Sequence, residues 1–317
     1  MLNPTYDDVE AAAARVIGIV RPLTVIAADP DLVPGVQAYL ALEFLQHTGS
    51  FKARGAVNLV AALVHSGVMP AAGLVTATGL NADLGFAWAA QRFGVPITAF
   101  LAVTAPEAKA ARLRGYGAEV RVGGATQADA QRAARTFMAR SGALDAYTHD
   151  DLLTSAGAGT ILLELAAAVP DLDTVVVAVG AGGMFSGITA AADSRGVRVV
   201  GAEPEGSRAL HAALAAGTVL DVEIDSVAAD SLGALRVWAA ALAWARAADV
   251  HAVIVDDPTI IATRRLLWDR HRIAVEHGAA TGLAAVRAGS YRPHPGERVA
   301  FVLCGANTDP ADLMATV

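Results

Sequence analysis

The feature that most restricts the fold is a regular alternation of short apolar runs and longer amphipathic segments from Gly73 onward. The pattern gives strands at residues 73–78, 96–102 and 118–122, and helices at residues 81–92, 106–115 and 127–139. Strands that alternate with helices of this length form parallel βαβ units. This part of the chain therefore predicts a parallel sheet covered by helices.

The alternation resumes after a loop that we place at residues 148–158. Strands are predicted at 173–179, 196–203, 251–255 and 298–303, and helices at 160–168, from 184, at 232–247 and at 258–275. Before the first block, the patterns predict a helix at 6–17, a strand at 36–42 and a helix at 53–65. A run of β-branched residues such as that at 173–179 is typical of a strand buried on both faces.

Turn residues cluster near Val68 and near Tyr147, and they divide the chain. We expect an α/β protein of two parallel-sheet, three-layer domains. Residues 1–67 and 148–317 would form a large discontinuous domain, and residues 68–147 a small inserted one.

Composition excludes several classes of function. The net charge is −7 and the pI is about 5.6, so a nucleic-acid partner, which requires a basic face, is not expected. No apolar run reaches ~18 residues and no signal peptide is recognisable, so no membrane partner is expected. The single cysteine, Cys304, excludes a disulfide within the chain and favours the cytoplasm.

Lys52 is the most unusual candidate residue, because it lies between a predicted strand and the start of a predicted helix. The positive end of the helix dipole disfavours a cation there and lowers the pKa of the amine. A neutral amine attacks aldehydes, as a Schiff-base lysine must. An ordinary surface lysine at a helix start remains the alternative.

Three further motifs follow predicted strands, where ligands bind to parallel sheets. Gly180 to Gly183 would expose backbone N–H groups suited to a phosphate, or would simply form a tight turn. Thr78 and Asn81 would offer a hydroxyl and an amide, or would cap a helix. Cys304 would lie at the end of the last strand, as a chemical group or as a core residue.

Together these motifs resemble those of the fold-type II pyridoxal-phosphate enzymes, whose fold is that of the tryptophan synthase β chain. The serine/threonine dehydratase branch is the most similar. HTGSFKARGA at 47–56 resembles the lysine motif of that family and GAGGMFSG at 180–187 its glycine loop. Further similar segments are PEAKAARLRGYGAEV (106–120), GAEP (201–204), VEHGAATGLAA (275–285) and LCGAN (303–307).

The resemblance implies roles for particular residues around pyridoxal 5′-phosphate. Lys52 would bond to the cofactor and serve as the catalytic base, Phe51 would lie beside the ring, and Asn81 would contact its 3′-oxygen. Gly180, Ala181, Gly182 and Gly183 would bind the phosphate with Met184 next to them, and Cys304 would face the pyridine nitrogen. The substrate would contact Ser50, Thr78, Gly79, Leu80 and Ala82, with its carboxylate near Thr78.

The departures from the family pattern lie on the substrate side. Leu80 replaces a glycine and Ala82 a histidine, while Gly79 stands where a racemase would need a serine. Ser231 follows Ala229-Asp230 where the family has glycine. Metal-binding acids of some members are only partly present, since Glu203 fits but Ala209 does not, so no metal is predicted.

The predicted function is therefore that of a pyridoxal-phosphate-dependent ammonia-lyase. It would remove water and ammonia from a small β-hydroxy amino acid, such as serine or threonine, to give a 2-oxo acid. A β-replacement or another β-elimination is the first alternative, and a catalytically impaired binding protein the second. A homodimer is expected from the resemblance.

Overall fold

The computed structural model describes residues 3–79, 81–147 and 151–313. The strands are β1 (Val25–Ala27), β2 (Gln37–Ala41), β3 (Leu74–Thr76), β4 (Ile97–Leu101), β5 (Glu119–Val122), β6 (Leu144–Asp145), β7 (Thr174–Ala178), β8 (Arg198–Pro204), β9 (Val250–Val255) and β10 (Arg298–Val302). The α-helices are α1 (Tyr6–Val16), α2 (Lys52–His65), α3 (Asn81–Phe93), α4 (Glu107–Gly115), α5 (Gln127–Ser141), α6 (Asp151–Ala168), α7 (Gly183–Asp193), α8 (Ala209–Ala216), α9 (Ala229–Leu232), α10 (Ala239–Ala247), α11 (Asp257–His271) and α12 (His277–Arg287).

The strands form two separate sheets. The larger is six-stranded in the order β1-β2-β10-β7-β8-β9, and every pairing is parallel except the edge pair β1–β2. The smaller is four-stranded in the order β5-β4-β3-β6 and entirely parallel. The smaller sheet lies within residues 68–147, as predicted, although the boundaries of the domains themselves stay a prediction.

Helices cover both sheets with apolar side chains. In the large sheet β7 is buried at every position, and it packs with Ile161 of α6, Phe185 of α7 and Phe301 of β10 in one core. The second core joins α2 and α3 to the smaller sheet through residues such as Leu59, Leu74 and Leu84. Lys52 begins the helix α2, whose residues belong to this second core, while its neighbour Phe51 packs against the first core.

The loop predicted at residues 148–158 is wrong, because helix α6 already begins at Asp151; residues 148–150 lie outside the described part. The glycines in and next to this segment serve helix packing. A Cβ on Gly157 would lie 2.7 Å from the carbonyl oxygen of Arg54, and one on Gly159 would lie 2.5 Å from that of Gly187. Glycine thus lets α6 approach α2 and α7 closely.

The helix predicted at 232–247 is also wrong, since it is divided into α9 and α10 with residues 233–238 between them. In that segment the N–H of Trp238 donates to the carbonyl oxygen of Ala181, at 2.8 Å, instead of to a helical partner. The helix predicted at 258–275 ends earlier, at His271, because Arg272 adopts a left-handed conformation with φ of 55°. The sequence patterns also missed β1, β6, α8 and α12.

Candidate active site

The glycine-rich segment after β7 forms an open turn that leads into α7. Gly182 precedes the helix with φ of +92°, and no side chain caps the first turn. A Cβ at Gly182 would lie 2.5 Å from the Cβ of Ala241, and one at Gly183 would lie 2.7 Å from the Trp238 ring. The N-terminal amides of α7 are therefore held in a close-packed cradle suited to an anion.

Lys52 projects from the first turn of α2 into a neighbouring part of the same cleft. Its Nζ lies 4.8 Å from the centroid of the Phe51 ring and 5.7 Å from that of Tyr147. Among the described residues no carboxylate lies within 4.0 Å of this amine. Burial lowers the pKa of Lys52 to about 8, so the predicted direction is confirmed with burial as its main cause.

Cys304 follows β10 and faces the same cleft as a neutral thiol. Burial, reinforced by the carboxylate of Glu276, raises the pKa of this thiol to about 12. The carbonyl oxygen of Cys304 accepts a hydrogen bond of 2.9 Å from the N–H of Phe51. The end of the last strand is thereby tied directly to the lysine segment.

Asn81 is held by Glu276 and Asn307, two residues that were assigned no role from the sequence. Its Nδ2 lies 2.9 and 3.0 Å from the two carboxylate oxygens of Glu276, and its Oδ1 accepts from Asn307 Nδ2 at 2.8 Å. The Glu276 carboxylate is buried, and this burial raises its pKa. A family pattern for residues 275–285 was visible, but nothing in it connected Glu276 to Asn81.

The structure brings most of the predicted site residues together around one cleft of about 720 Å³, counted to its open mouth. Its lining includes the predicted residues Phe51, Lys52, Asn81, Ala82, Gly180, Ala181, Gly182, Gly183, Met184 and Cys304, together with Ser231, Trp238 and Tyr147. Four strand ends therefore converge as the topology predicted. The individual roles of these residues stay predictions.

Three of the remaining predicted substrate contacts, Ser50, Thr78 and Gly79, do not line the cleft directly. Thr78 and Gly79 lie next to it, half-buried, and both are hydrogen-bonded to Asp83. Ser50 is fully buried, and its Oγ has no hydrogen-bond partner among the described residues. Leu80 lies outside the described residues.

Lys109 is a second functional candidate that sequence reasoning missed. The chain contains only two lysines, Lys52 and Lys109, and this count was the available signal. Its Nζ donates to the carbonyl oxygen of Gly79, and it links α4 to the substrate-side loop. Burial lowers its pKa, although the nearby carboxylates of Asp83, Asp230 and Glu276 act in the opposite direction.

Glu203, the one acid that fits the metal-binding pattern of some family members, has backbone partners instead. Its carboxylate accepts from the N–H groups of Leu210 and His211, at 2.7 and 2.8 Å, at the start of α8. Across residues 3–79, 81–147 and 151–313, no group of three His, Cys, Asp or Glu side chains could hold a metal ion. In the same ranges, no helix has the length and apolar character needed to cross a membrane.

The donors and acceptors of the cleft fit pyridoxal 5′-phosphate. The uncapped α7 amides and the glycine cradle suit its phosphate, and the buried amine of Lys52 suits its aldehyde. The neutral thiol of Cys304 suits an unprotonated pyridine nitrogen. A carboxylate at this position would favour a protonated pyridine nitrogen, but the residue here is a cysteine.

Comparison with known proteins agrees with this chemistry. The profile of the family described as "Pyridoxal-phosphate dependent enzyme" matches residues 26–305. An L-threonine ammonia-lyase of Thermotoga maritima is 33% identical over 96% of this chain and 76% of its own length. A phenylserine dehydratase of Ralstonia pickettii is 33% identical over 97% of this chain and 95% of its own length.

Comparison with solved structures supports the same fold. The structure of maize serine racemase superposes with a TM-score of 0.89 at 26% identity, over 99% of this chain and 96% of that one. The predictions of the fold class, of the cofactor and of a pyridoxal-phosphate-dependent carbon–nitrogen lyase are thereby confirmed. Because the family profile spans most of the sequence and the cleft carries the matching chemistry, the chain belongs to the pyridoxal-phosphate-dependent enzymes.

Proposed function

We propose that this enzyme is an ammonia-lyase that converts a small β-hydroxy amino acid, such as serine or threonine, to a 2-oxo acid and ammonia. The observation that carries the proposal is the buried amine of Lys52, with a pKa lowered to about 8, beside the neutral thiol of Cys304. The similarity to a threonine ammonia-lyase and a phenylserine dehydratase supports the same reaction type.

Lys52 is proposed to move the proton that is lost from the substrate Cα. Bound in the cleft, pyridoxal phosphate supplies the electron sink that makes this proton acidic. An amine with a pKa near 8 is close to the ideal strength for a base that works near neutral pH. The rings of Phe51 and Tyr147 lie beside the amine and exclude water from it.

Cys304 is proposed to favour elimination over transamination. A thiol whose pKa is raised to about 12 stays neutral and does not stabilise a positive charge on the pyridine nitrogen. The electron pair released at Cα is then delocalised less into the ring, and prompt loss of a β-substituent is favoured.

The substrate is proposed to bind between Lys52 and the segment that begins α3. Asn81 and Ala82 line this side of the cleft, and Ala82 presents an apolar surface where the family has a histidine. Ser50, Thr78, Gly79 and Leu80 complete the predicted substrate contacts. The N-terminal end of α3 suits the negative charge of an amino-acid carboxylate.

A substrate panel tests this function. The purified protein, loaded with pyridoxal phosphate, is incubated with serine, threonine and 3-phenylserine in both configurations, and 2-oxo acid and ammonia are measured. We expect equal amounts of both products from at least one substrate, and none with the Lys52→Ala variant. A wild-type protein that shows bound cofactor but no product with any of them would contradict the proposal and favour a binding protein without catalysis.

β-Replacement is the second candidate, because Ala82 removes a side chain from the substrate side of the cleft and leaves room for a nucleophile. Repeating the panel with an added thiol or amine separates the two reactions. Incorporation of the nucleophile into the amino-acid product would identify replacement. Chiral analysis of the remaining substrate measures racemisation, which we do not expect because Gly79 carries no side chain to act as an acid or base.

We further propose that the protein is a cytoplasmic homodimer. The buried, unpaired Cys304 is consistent with a reducing compartment. Light scattering of the purified protein at several concentrations would measure the mass directly; a monomer at every concentration would contradict the dimer.

A further inference from the structure

A buried carboxylate lies directly behind the substrate-side loop. Asp83, in the first turn of α3, has a side chain with 0% exposure and does not line the cleft. It accepts hydrogen bonds from the Thr76 hydroxyl, from the N–H and hydroxyl of Thr78 at 3.0 and 2.7 Å, and from the N–H of Gly79 at 2.8 Å. One side chain therefore fixes the end of β3 and the loop that follows it.

The same loop is also held by α4 and α5, two helices that pack on the small sheet. Lys109 of α4 donates to the carbonyl oxygen of Gly79, and Gln127 of α5 donates to that of Ala77 at 2.6 Å. Gly79 itself has φ of +70°, and a Cβ there would lie 2.8 Å from the Gln127 side chain. The loop conformation is thus set by three separate elements, with Asp83 at its centre.

These contacts also decide what Thr78 can offer a ligand. Its hydroxyl has a single hydrogen, which the carboxylate of Asp83 accepts. The hydroxyl can therefore act toward a ligand only as an acceptor, and the amides of Thr78 and Gly79 point at Asp83 as well. A substrate carboxylate, which needs donors, gains none from these three groups while Asp83 is present.

We propose that Asp83 is a positioning residue for the substrate, which fixes Thr78 and Gly79 from behind and leaves the carboxylate of the substrate to other donors at the start of α3. The inference rests on the proposed function, because it concerns the substrate side of the same cleft. Asp83 acts through Thr78 and Gly79, and contacts to the cofactor do not depend on it.

Substitution of Asp83 tests this role, with a matched control in α5. Asp129 occupies the same helical position and accepts from the N–H and hydroxyl of Thr126, at 2.8 and 2.9 Å, but it lies outside the cleft. In Asp83→Ala we expect KM to rise about tenfold while kcat changes little, since several hydrogen bonds to a charged group are lost. Asp83→Asn should lie between wild type and Asp83→Ala, because an amide accepts at one oxygen only.

The absorbance of the bound cofactor should stay unchanged in both Asp83 variants, and Asp129→Ala should leave KM unchanged. Hydrogen–deuterium exchange of the peptide at residues 74–82 gives a readout that needs no turnover. We expect faster exchange in Asp83→Ala and in Asp83→Asn than in wild type or Asp129→Ala. If no β-hydroxy amino acid is a substrate, the proposed function fails, and this measurement still decides whether Asp83 fixes the loop.

Two results would overturn the inference. One is a folded Asp83→Ala variant with wild-type exchange at residues 74–82. The other is a lower KM in that variant, which would mean that the Asp83 carboxylate competes with the substrate for the loop.

Discussion

The Glu276 carboxylate holds the Nδ2 of Asn81 at 2.9 and 3.0 Å, although the two residues lie 195 positions apart in the chain. Glu276 precedes α12, which packs on the large sheet, and Asn81 begins α3, which packs on the small sheet. The contact therefore links the two sheets. The same carboxylate accepts from the N–H of Asn307 at 2.7 Å. Glu276 therefore fixes both the substrate side and the final loop of the cleft.

Replacing Glu276 by alanine should weaken cofactor binding about tenfold, because Asn81 and the amide of Asn307 lose a charged partner. Titration of the cofactor-free protein with pyridoxal phosphate, followed by absorbance, measures the change. Glu297→Ala is the control, since Glu297 is also a buried carboxylate with three donors (Thr174, Tyr291 and His294) but lies away from the cleft. Equal cofactor affinities in wild type and Glu276→Ala would contradict the assignment.

Gly182→Ala should weaken cofactor binding on the order of tenfold, because an L side chain is strained at φ of +92° and would contact Ala241. Gly196→Ala is the matched control: its φ is +65°, and no atom lies within 4 Å of the added Cβ. Both variants should lose stability, but only Gly182→Ala should lose affinity for the cofactor. An equal loss of cofactor affinity in Gly182→Ala and Gly196→Ala would show that backbone strain alone is responsible, and would contradict a specific role of Gly182 in cofactor binding.

The reactivity of Lys52 in the cofactor-free protein should rise through pH 8. The neutral amine is the reactive form, and burial lowers the pKa from 10.5 to about 8, so the rise comes at a lower pH than for an ordinary lysine. Labelling with an amine-specific reagent, quantified on the peptide that contains Lys52, measures the midpoint. A midpoint near 10.5 would contradict a buried amine.

Loss of the proton from Glu203 should make the protein less stable as the pH rises. Burial raises the pKa of this carboxyl from 4.5 to about 7. Between these values the folded protein binds more protons than the unfolded chain, so the free energy of unfolding falls with increasing pH and then levels off above pH 7. The full effect is about 3 kcal/mol.

Glu203→Gln removes this titration, so its free energy of unfolding should fall less than that of wild type over the same pH range and exceed the wild-type value at alkaline pH. Urea unfolding of both proteins at a series of pH values provides the comparison. Curves that run parallel would show that Glu203 is not protonated in the folded state.

The site residues that could be predicted from the sequence are those that follow a predicted strand. Lys52, Gly180 to Gly183 and Cys304 were found this way, because the carboxyl ends of parallel strands meet at one edge of a sheet. Local patterns also predicted most strands and helices of the two sheets. Resemblance to a family then supplied the roles, which geometry alone does not assign.

The residues that were not predicted make contacts with residues far away in the sequence, or contacts that their residue type does not indicate. Glu276 contacts Asn81 at a sequence separation of 195 residues, and Lys109 contacts Gly79 at a separation of 30. Local periodicity in the sequence cannot predict contacts of this kind. Gly157 lies in the segment predicted as a loop, although it and Gly159 permit close packing between helices. Asp83 was assigned no role from the sequence; what distinguishes it is a set of four hydrogen bonds from described residues of β3 and the loop that follows it.

The bond between Lys52 and the cofactor is the central claim, and it can be located directly. Borohydride reduction of the cofactor-loaded protein makes the bond permanent, and peptide mass analysis then finds the lysine that carries it. The chain has only two lysines, so the result is unambiguous. We predict the label on Lys52 alone; a label on Lys109, or bound cofactor with no label on either lysine, would contradict the account.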